Sequence, residues 1–181
     1  MRKAIFFDRD GTLNDFKLGE YITKADELVL LKGAARAVKK ANAAGYLCIV
    51  VTNQGGVIHN KGITYSDVEL INERLIELLE NEGAKIDGLY FCPHYPEVES
   101  CDCRKPKTGM IDMAMRDFDI NLQDSYMIGD SDSDILAGKN ARIKTIGIGE
   151  RIKVEANFCT YNVEDAVDYI LKGEKNCPKL V

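Results

Sequence analysis

The amino-acid sequence predicts an α/β fold in which a mainly parallel sheet is covered by helices on both faces. Short apolar runs rich in Ile, Val and Phe alternate with helical patterns along the whole chain. The runs are continuously apolar rather than alternating, as in strands buried on both sides. Strands separated by helix-length connections pair in parallel through right-handed crossovers. At 181 residues, 45% of them hydrophobic, the chain suits one domain with a sizeable core rather than two.

Residues 3–7 (KAIFF) read as the first strand, ended by Asp8-Arg9-Asp10-Gly11-Thr12. Ala34, Ala37, Val38 and Ala41 recur with helical spacing, and Gly45 is placed to stop that helix. Residues 46–51 (YLCIVV) form the second strand, closed by Thr52-Asn53-Gln54-Gly55-Gly56. Thr64 and Asp67 make a capping box before a long helix whose inner side is Val68, Ile71, Leu75, Leu78 and Leu79, ending near Gly83. Residues 89–91 form the third strand and run into a group of Cys and His residues. Thr108 caps a helix with Ile111, Ala114, Met115 and Phe118 inward. Residues 125–128 form the fourth strand, before Gly129-Asp130; a helix over 133–140 and a fifth strand over 144–148 follow. A last short strand near Phe158 precedes a helix with Val163, Ala166, Val167 and Ile170 inward. Residues 174–181 carry no pattern and are expected to be loosely held.

A net charge of -5 gives no global positive field for nucleic acid or anionic lipid, so neither is an expected partner. No apolar run approaches the roughly 20 residues that span a bilayer. The first strand-like run starts at residue 3, too early and too short for a signal peptide, so a cytoplasmic protein is expected. Of six cysteines, Cys48, Cys159 and Cys177 are scattered and read as small apolar residues or idle thiols. The others form Cys92-Pro-His94 and Cys101-Asp-Cys103, two pairs separated by six residues. Three thiolates and an imidazole make a closed tetrahedral Zn2+ site with no open position for catalysis. A disulfide or a chance thiol cluster is the alternative, and a disulfide fits poorly in a cytoplasmic chain. The surrounding stretch holds Pro93, Pro96 and Pro106 and no periodic apolar face, so a metal can fix it where a core cannot. That would set Arg104 and Lys105 against the active site.

In an open parallel sheet, ligands bind beyond the carboxyl ends of the strands. There the sequence places Asp8 and Asp10, then Thr52 and Asn53, then Asp130 and Asp134, with Arg104, Lys105 and Lys107 beyond the third strand. Carboxylates gathered in one crevice repel each other, and a divalent ion resolves the conflict; oxygen ligands favour Mg2+. Each piece alone is ordinary: Asp-x-Asp-Gly is a common turn, and Gly-Asp-Ser a common helix start. Their joint order carries the functional reading.

Asp8-Arg9-Asp10-Gly11-Thr12 resembles the first motif of the haloacid dehalogenase (HAD) superfamily of phosphotransferases, and Val51-Thr52-Asn53 the second. Lys105-Pro106 is similar to the third motif, and Ile128-Gly129-Asp130 with Asp134 to the fourth. The resemblance implies a Rossmann-like three-layer α/β/α sandwich, a single HAD-like phosphatase domain over 1–181 with a zinc-binding loop at 92–107. It implies Asp8 as a nucleophile that forms an aspartyl-phosphate, and Asp10 as general acid and then base. Thr52 and Lys105 would stabilise the phosphoryl group. Mg2+ would take the carboxylates of Asp8 and Asp130 and the Asp10 carbonyl, with Asp134 beside the ion rather than on it.

With Cys-x-His…Cys-x-Cys-Arg-Lys-Pro added, the motifs resemble the heptose 1,7-bisphosphate 7-phosphatase subfamily and its relative, histidinol-phosphate phosphatase. Asp10 and Thr52 lie only 42 positions apart, too few for a large cap between them. Specificity is therefore expected from loops 14–21 and 54–62 and from the zinc loop. The resemblance implies substrate contacts by Arg9, Gly19, Glu20, Tyr21, Thr52, Asn53, Gln54, Arg104 and Lys105. Three departures stand out: Gly55 where the subfamily has Ser, residues 57–62 in place of an Ala-Arg-Gly-like stretch, and Ser131 where a Lys often follows the fourth-motif aspartate. His59 and Lys61 read as solvated loop residues. The implied function is Mg2+-dependent removal of the 7-phosphate of D-glycero-D-manno-heptose 1,7-bisphosphate, in nucleotide-activated heptose synthesis for surface glycans. A monomer acting on a small phosphorylated substrate is expected. The alternatives are a histidinol-phosphate phosphatase and, in another class, a non-catalytic zinc-containing binding module.

Overall fold

The computed structural model describes residues 1–16, 19–57 and 62–173. Its strands are β1 (Ala4–Phe7), β2 (Leu47–Asn53), β3 (Gly88–Cys92), β4 (Tyr126–Gly129), β5 (Lys144–Ile148) and β6 (Phe158–Thr160). Between and after them come α1 (Ala34–Ala43), α2 (Tyr65–Asn81), α3 (Gly109–Asp117), α4 (Asp132–Asn140) and α5 (Val163–Lys172). The strands form one sheet in the order β3-β2-β1-β4-β5-β6, and every pairing is parallel. The chain moves outward from β1 to β3, then returns past β1 to lay down β4. This reversal leaves a crevice beyond the adjoining ends of β1 and β4, and that is where such sheets bind ligands.

Alternate residues of the central strands feed two cores, which explains their continuously apolar sequences. Ile5, Phe7, Cys48, Val50, Ile128 and Ile146 pack against α1, α2 and α5. Ala4, Phe6, Leu47, Ile49, Val51 and Met127 pack with Met110, Ile111 and Ala114 of α3 on the other face. The small inner residues of α1 let α5 lie beside it. The joint is closed by Glu164, 2.8 Å from Arg36 and 3.1 Å from Lys40, and by Lys40 2.7 Å from Asp168. No inserted cap domain interrupts β1 to α2 among the described residues, and the α/β/α three-layer sandwich is as expected.

Several details differ from expectation. The sheet is wholly parallel, and β2 runs on through Thr52 and Asn53, which pair with Phe91 and Cys92 of β3. The sheet thus holds both the second motif and the first zinc-loop cysteine. Met115 is exposed; α3 turns Met110 inward instead, four residues before Ala114 and on the same helical stripe. Thr108 stands at the N-cap of α3, but its hydroxyl donates to Asp112 rather than accepting from the helix backbone. The capping box of α2 is present, with Thr64 Oγ1 accepting from Asp67 N. His59, Lys61, Cys177 and the tail beyond 173 lie outside the described residues. Among the described residues, no helix is long and apolar enough to cross a membrane.

Candidate active site

Asp8 follows β1 directly, and its backbone N–H continues the pairing by donating to Ile128 O at 2.9 Å. Asp130 follows β4 and so faces it across the crevice. Gly11 makes this closeness possible: at φ +80 it turns the chain under Asp130, and a Cβ there would fall into the carboxylate. Gly129 does the same for Asp134, the first-turn acid of α4, whose side chain a Cβ would strike. Asp8, Asp130 and Asp134 thereby place carboxylate oxygens within 4.8 Å of one another, all buried.

Lys105 enters this group from the far end of the zinc loop. Its ammonium donates to Asp8 Oδ1 at 2.7 Å and to Val51 O at 2.6 Å, and lies 2.7 Å from Asp134 Oδ1 as an ion pair. Asn53 clamps the Lys105 backbone, accepting from its N–H at 3.0 Å and donating to its carbonyl at 3.1 Å. Burial opposes the charge on Lys105, but Asp134 and Asp8 outweigh it and its pKa rises. Asp134 is held at its other oxygen by Ser131 N at 3.0 Å and Ser131 Oγ at 2.6 Å. Its remaining oxygen, Oδ1, faces the Lys105 ammonium at 2.7 Å. Asp8, of which Lys105 takes one oxygen, and Asp130 remain a hard oxygen pair that fits Mg2+.

Asp8 and Asp10 sit in opposite environments. Burial pushes the Asp8 carboxyl up; Lys105 opposes this, while Asp134, Asp10 and Asp130 add to it. Burial also acts on Asp10, but the Arg9 charge and hydrogen bonds from Arg9, Asn14 and Gln54 overcome it, and its pKa is lowered. Arg9 binds Asp10 in a fork, Nε at 3.1 Å and Nη2 at 2.9 Å, and its Nη1 donates to Asn72 of α2 at 2.8 Å. The Gln54 amide donates to Asp10 at 2.7 Å and to Thr52 Oγ1 at 2.8 Å.

A cleft of about 390 Å³ opens over this group. Thr52, Asn53, Lys105, Gly19, Glu20 and Tyr21 line it, along with Asp8, Asp10 and Asp130. Of the residues expected to contact substrate, Arg9 and Gln54 have buried side chains that hydrogen-bond Asp10 and lie outside the cleft lining. Arg104 also lies outside that lining; its guanidinium donates to His94 O at 3.0 Å, beside the ring of Tyr95. Gly55 accounts for one departure from the subfamily pattern. A Cβ there would meet Arg104 Nη1 at 3.0 Å and both His94 O and the Tyr95 ring at 3.1 Å.

The four zinc-loop residues come together. Cys92 Sγ lies 3.0 Å from Cys103 Sγ and 3.6 Å from Cys101 Sγ, and His94 Nδ1 is 3.5 Å and 3.2 Å from Cys92 and Cys103. None of these thiols is joined in a disulfide, and the four ligand atoms lie within 4.8 Å of one another, close enough to share one Zn2+. His94 turns its other nitrogen toward Glu99 at 3.8 Å, the side from which imidazole ligands are oriented. The set can hold Zn2+.

The motifs did not reveal Asn72, Ser133 or Arg151, whereas Asn14 and Phe16 belong to the loop over 14–21 expected to shape specificity. Asn72 had a signal, since it falls on the inward stripe of α2 four residues after Val68, where a polar side chain needs a buried partner. Arg151 follows β5 at the same edge of the sheet as the other site residues, but no motif marks it.

A HAD-hydrolase-like family model matches residues 102–157. A Haemophilus ducreyi protein named D-glycero-beta-D-manno-heptose-1,7-bisphosphate 7-phosphatase is 37% identical, covering 93% of this chain and 98% of its own. A Helicobacter pylori protein of the same name is 43% identical over 78% of this chain and 80% of its own. A solved structure of D,D-heptose 1,7-bisphosphate phosphatase from B. bronchiseptica, complexed with magnesium and phosphate, superposes with a TM-score of 0.84. It covers 94% of this chain and 98% of its own, at 24% identity, and shows the fold. The chain belongs to the HAD-like hydrolase family. Its reaction class is phosphoric monoester hydrolysis.

Proposed function

We propose that this protein removes the 7-phosphate of D-glycero-D-manno-heptose 1,7-bisphosphate, in nucleotide-activated heptose synthesis for surface glycans. The observation that carries the reading is the convergence of the zinc loop and the first motif: Lys105, two residues after Cys103, delivers its ammonium to Asp8 at 2.7 Å. The names borne by the bacterial relatives support the substrate.

Asp8 attacks phosphorus, the bond from phosphorus to the sugar oxygen breaks, and that oxygen takes a proton from Asp10. Water then attacks the aspartyl-phosphate, passes its proton to Asp10 and restores Asp8. Arg9, Asn14 and Gln54 keep Asp10 ionised without substrate, which suits the second step. The phosphorylated anion, arriving beside that carboxylate, raises its proton affinity for the first. Lys105 and Thr52 stabilise the equatorial oxygens of the transferring group. Asp8 and Asp130, with the Asp10 carbonyl, would hold Mg2+, which supplies charge neutralisation at the phosphoryl group. Gly19, Glu20 and Tyr21 border the sugar, with Arg104 beside them next to Tyr95. We assign the chain as one domain over 1–181, acting as a cytoplasmic monomer without nucleic-acid or membrane partners.

Phosphate release from heptose 1,7-bisphosphate, fructose 1,6-bisphosphate and histidinol phosphate tests the reading. The heptose ester should give the highest kcat/KM by at least about tenfold. A preference for histidinol phosphate would overturn the substrate while leaving the Asp8 chemistry in place.

A further inference from the structure

Arg151 is a cationic cleft residue that the mechanism above leaves unused. It follows β5 by three residues and lines the cleft at the same sheet edge as Asp8 and Asp130. Its Nη2 lies 2.9 Å from Asp130 Oδ2, its guanidinium stands 5.4 Å from the centre of the Phe16 ring, and its side chain is 39% exposed. Among the described residues lining the cleft, the other cation is Lys105, which is buried, donates to Asp8 and Val51 O, and is ion-paired with Asp134. Arg104 is tied to His94 O, outside the lining. Ser131, next to Asp130, brings no charge.

A substrate with two phosphates meets an electrostatic difficulty here. Its reacting phosphate is met at Asp8 by Lys105, but the second enters a cleft walled by Asp10, Asp130 and Glu20. Like charges in a partly desolvated cleft repel strongly unless a cation stands near. That cation must be near the reacting centre without being part of it, and must have donors to spare.

We propose that Arg151 is the specificity-determining residue that receives the second phosphate of the substrate. The proposal rests on the bisphosphate reading above and deepens it. Arg151 stands one carboxylate away from Asp8, so it is separate from the transferring group yet inside the same cleft. The ion pair with Asp130 engages Nη2, and a guanidinium carries further N–H groups in a planar fork suited to two phosphate oxygens. Phe16 carries the guanidinium on its face and limits where it can swing, which lowers the entropy lost on binding.

Calorimetric titration in an Asp8→Asn background with Mg2+ tests this, comparing D-glycero-D-manno-heptose 1,7-bisphosphate with the 7-phosphate. The expected result is that the parent prefers the bisphosphate by about tenfold or more. Adding Arg151→Ala should remove most of that preference, and Arg151→Lys should keep part of it, having the charge without the fork. A preference unchanged by Arg151→Ala, absent from the parent, or lost in Arg104→Ala instead overturns the proposal. Equal loss of affinity for both ligands does the same, because it assigns Arg151 to Asp130 rather than to the second phosphate. The bisphosphate reading fails on a separate result, preferential hydrolysis of histidinol phosphate by the wild-type chain.

Discussion

Asp8 and Asp10 lie two positions apart, yet their surroundings differ in the way the proposed mechanism requires. Asp8 is buried among other acids and answered by one ammonium, whereas Asp10 receives hydrogen bonds from Arg9, Asn14 and Gln54. Paired carboxyls separated in this way are how one site supplies both a nucleophile and a proton carrier. Asp8→Asn keeps the side-chain shape and removes the attacking oxygen anion. It should lower phosphate release by roughly 10⁴-fold or more, with the circular dichroism spectrum and melting temperature close to wild type. Residual activity of even a few per cent in that variant would refute covalent catalysis through Asp8.

Among the elements, the loop over 92–107 carries the most chemistry for the least core. It starts from Cys92 in the sheet, gathers four side chains that could hold a metal ion, and buries Lys105 near its end. Within it, fixed geometry comes from the thiol–imidazole cluster and from the Asn53 clamp on Lys105. Cys103→Ser should therefore reduce bound zinc, speed proteolytic cleavage within 95–107, and raise KM severalfold. Full activity and unchanged cleavage in protein verified to lack zinc would break this link between cluster and catalysis.

On the scale of the whole molecule, the sheet reversal between β1 and β4 brings residues 8 and 130 together, and the α1–α5 joint ties the first helix to the last. Hydrogen bonds from Arg36 and Lys40 hold the Glu164 carboxyl down to about 2 from its ordinary 4.5. Because the folded value is the lower one, the stabilisation is fully present above about pH 4.5 and is lost as the pH falls toward 2. Solvent screening keeps the effect small for side chains this close to water. Glu164→Gln should lower the melting temperature by roughly 1–3 °C at pH 7, and the gap should narrow at pH 3.5. A gap that widens on acidification would assign the joint to something other than this ionised carboxylate.

Apolar runs and helical stripes were enough to predict the alternating elements, because burial on both faces leaves a pattern that survives in one dimension. The same holds for Asp8, Asp130, Lys105 and the Cys/His cluster, whose chemistry demands particular residue types at short spacings. Met115 and Met110 show the limit: two apolar residues on a short helix compete for one buried stripe, and the position of the first turn decides between them. Arg9 and Gln54 show another, since spacing within a motif does not reveal which side chains hydrogen-bond the neighbouring Asp10. Asn72 and Arg151 enter the site from remote elements, 63 and 21 positions from their partners Arg9 and Asp130. Contacts of that kind arise only when the sheet order is set, because no local preference encodes which strand end lies beside which.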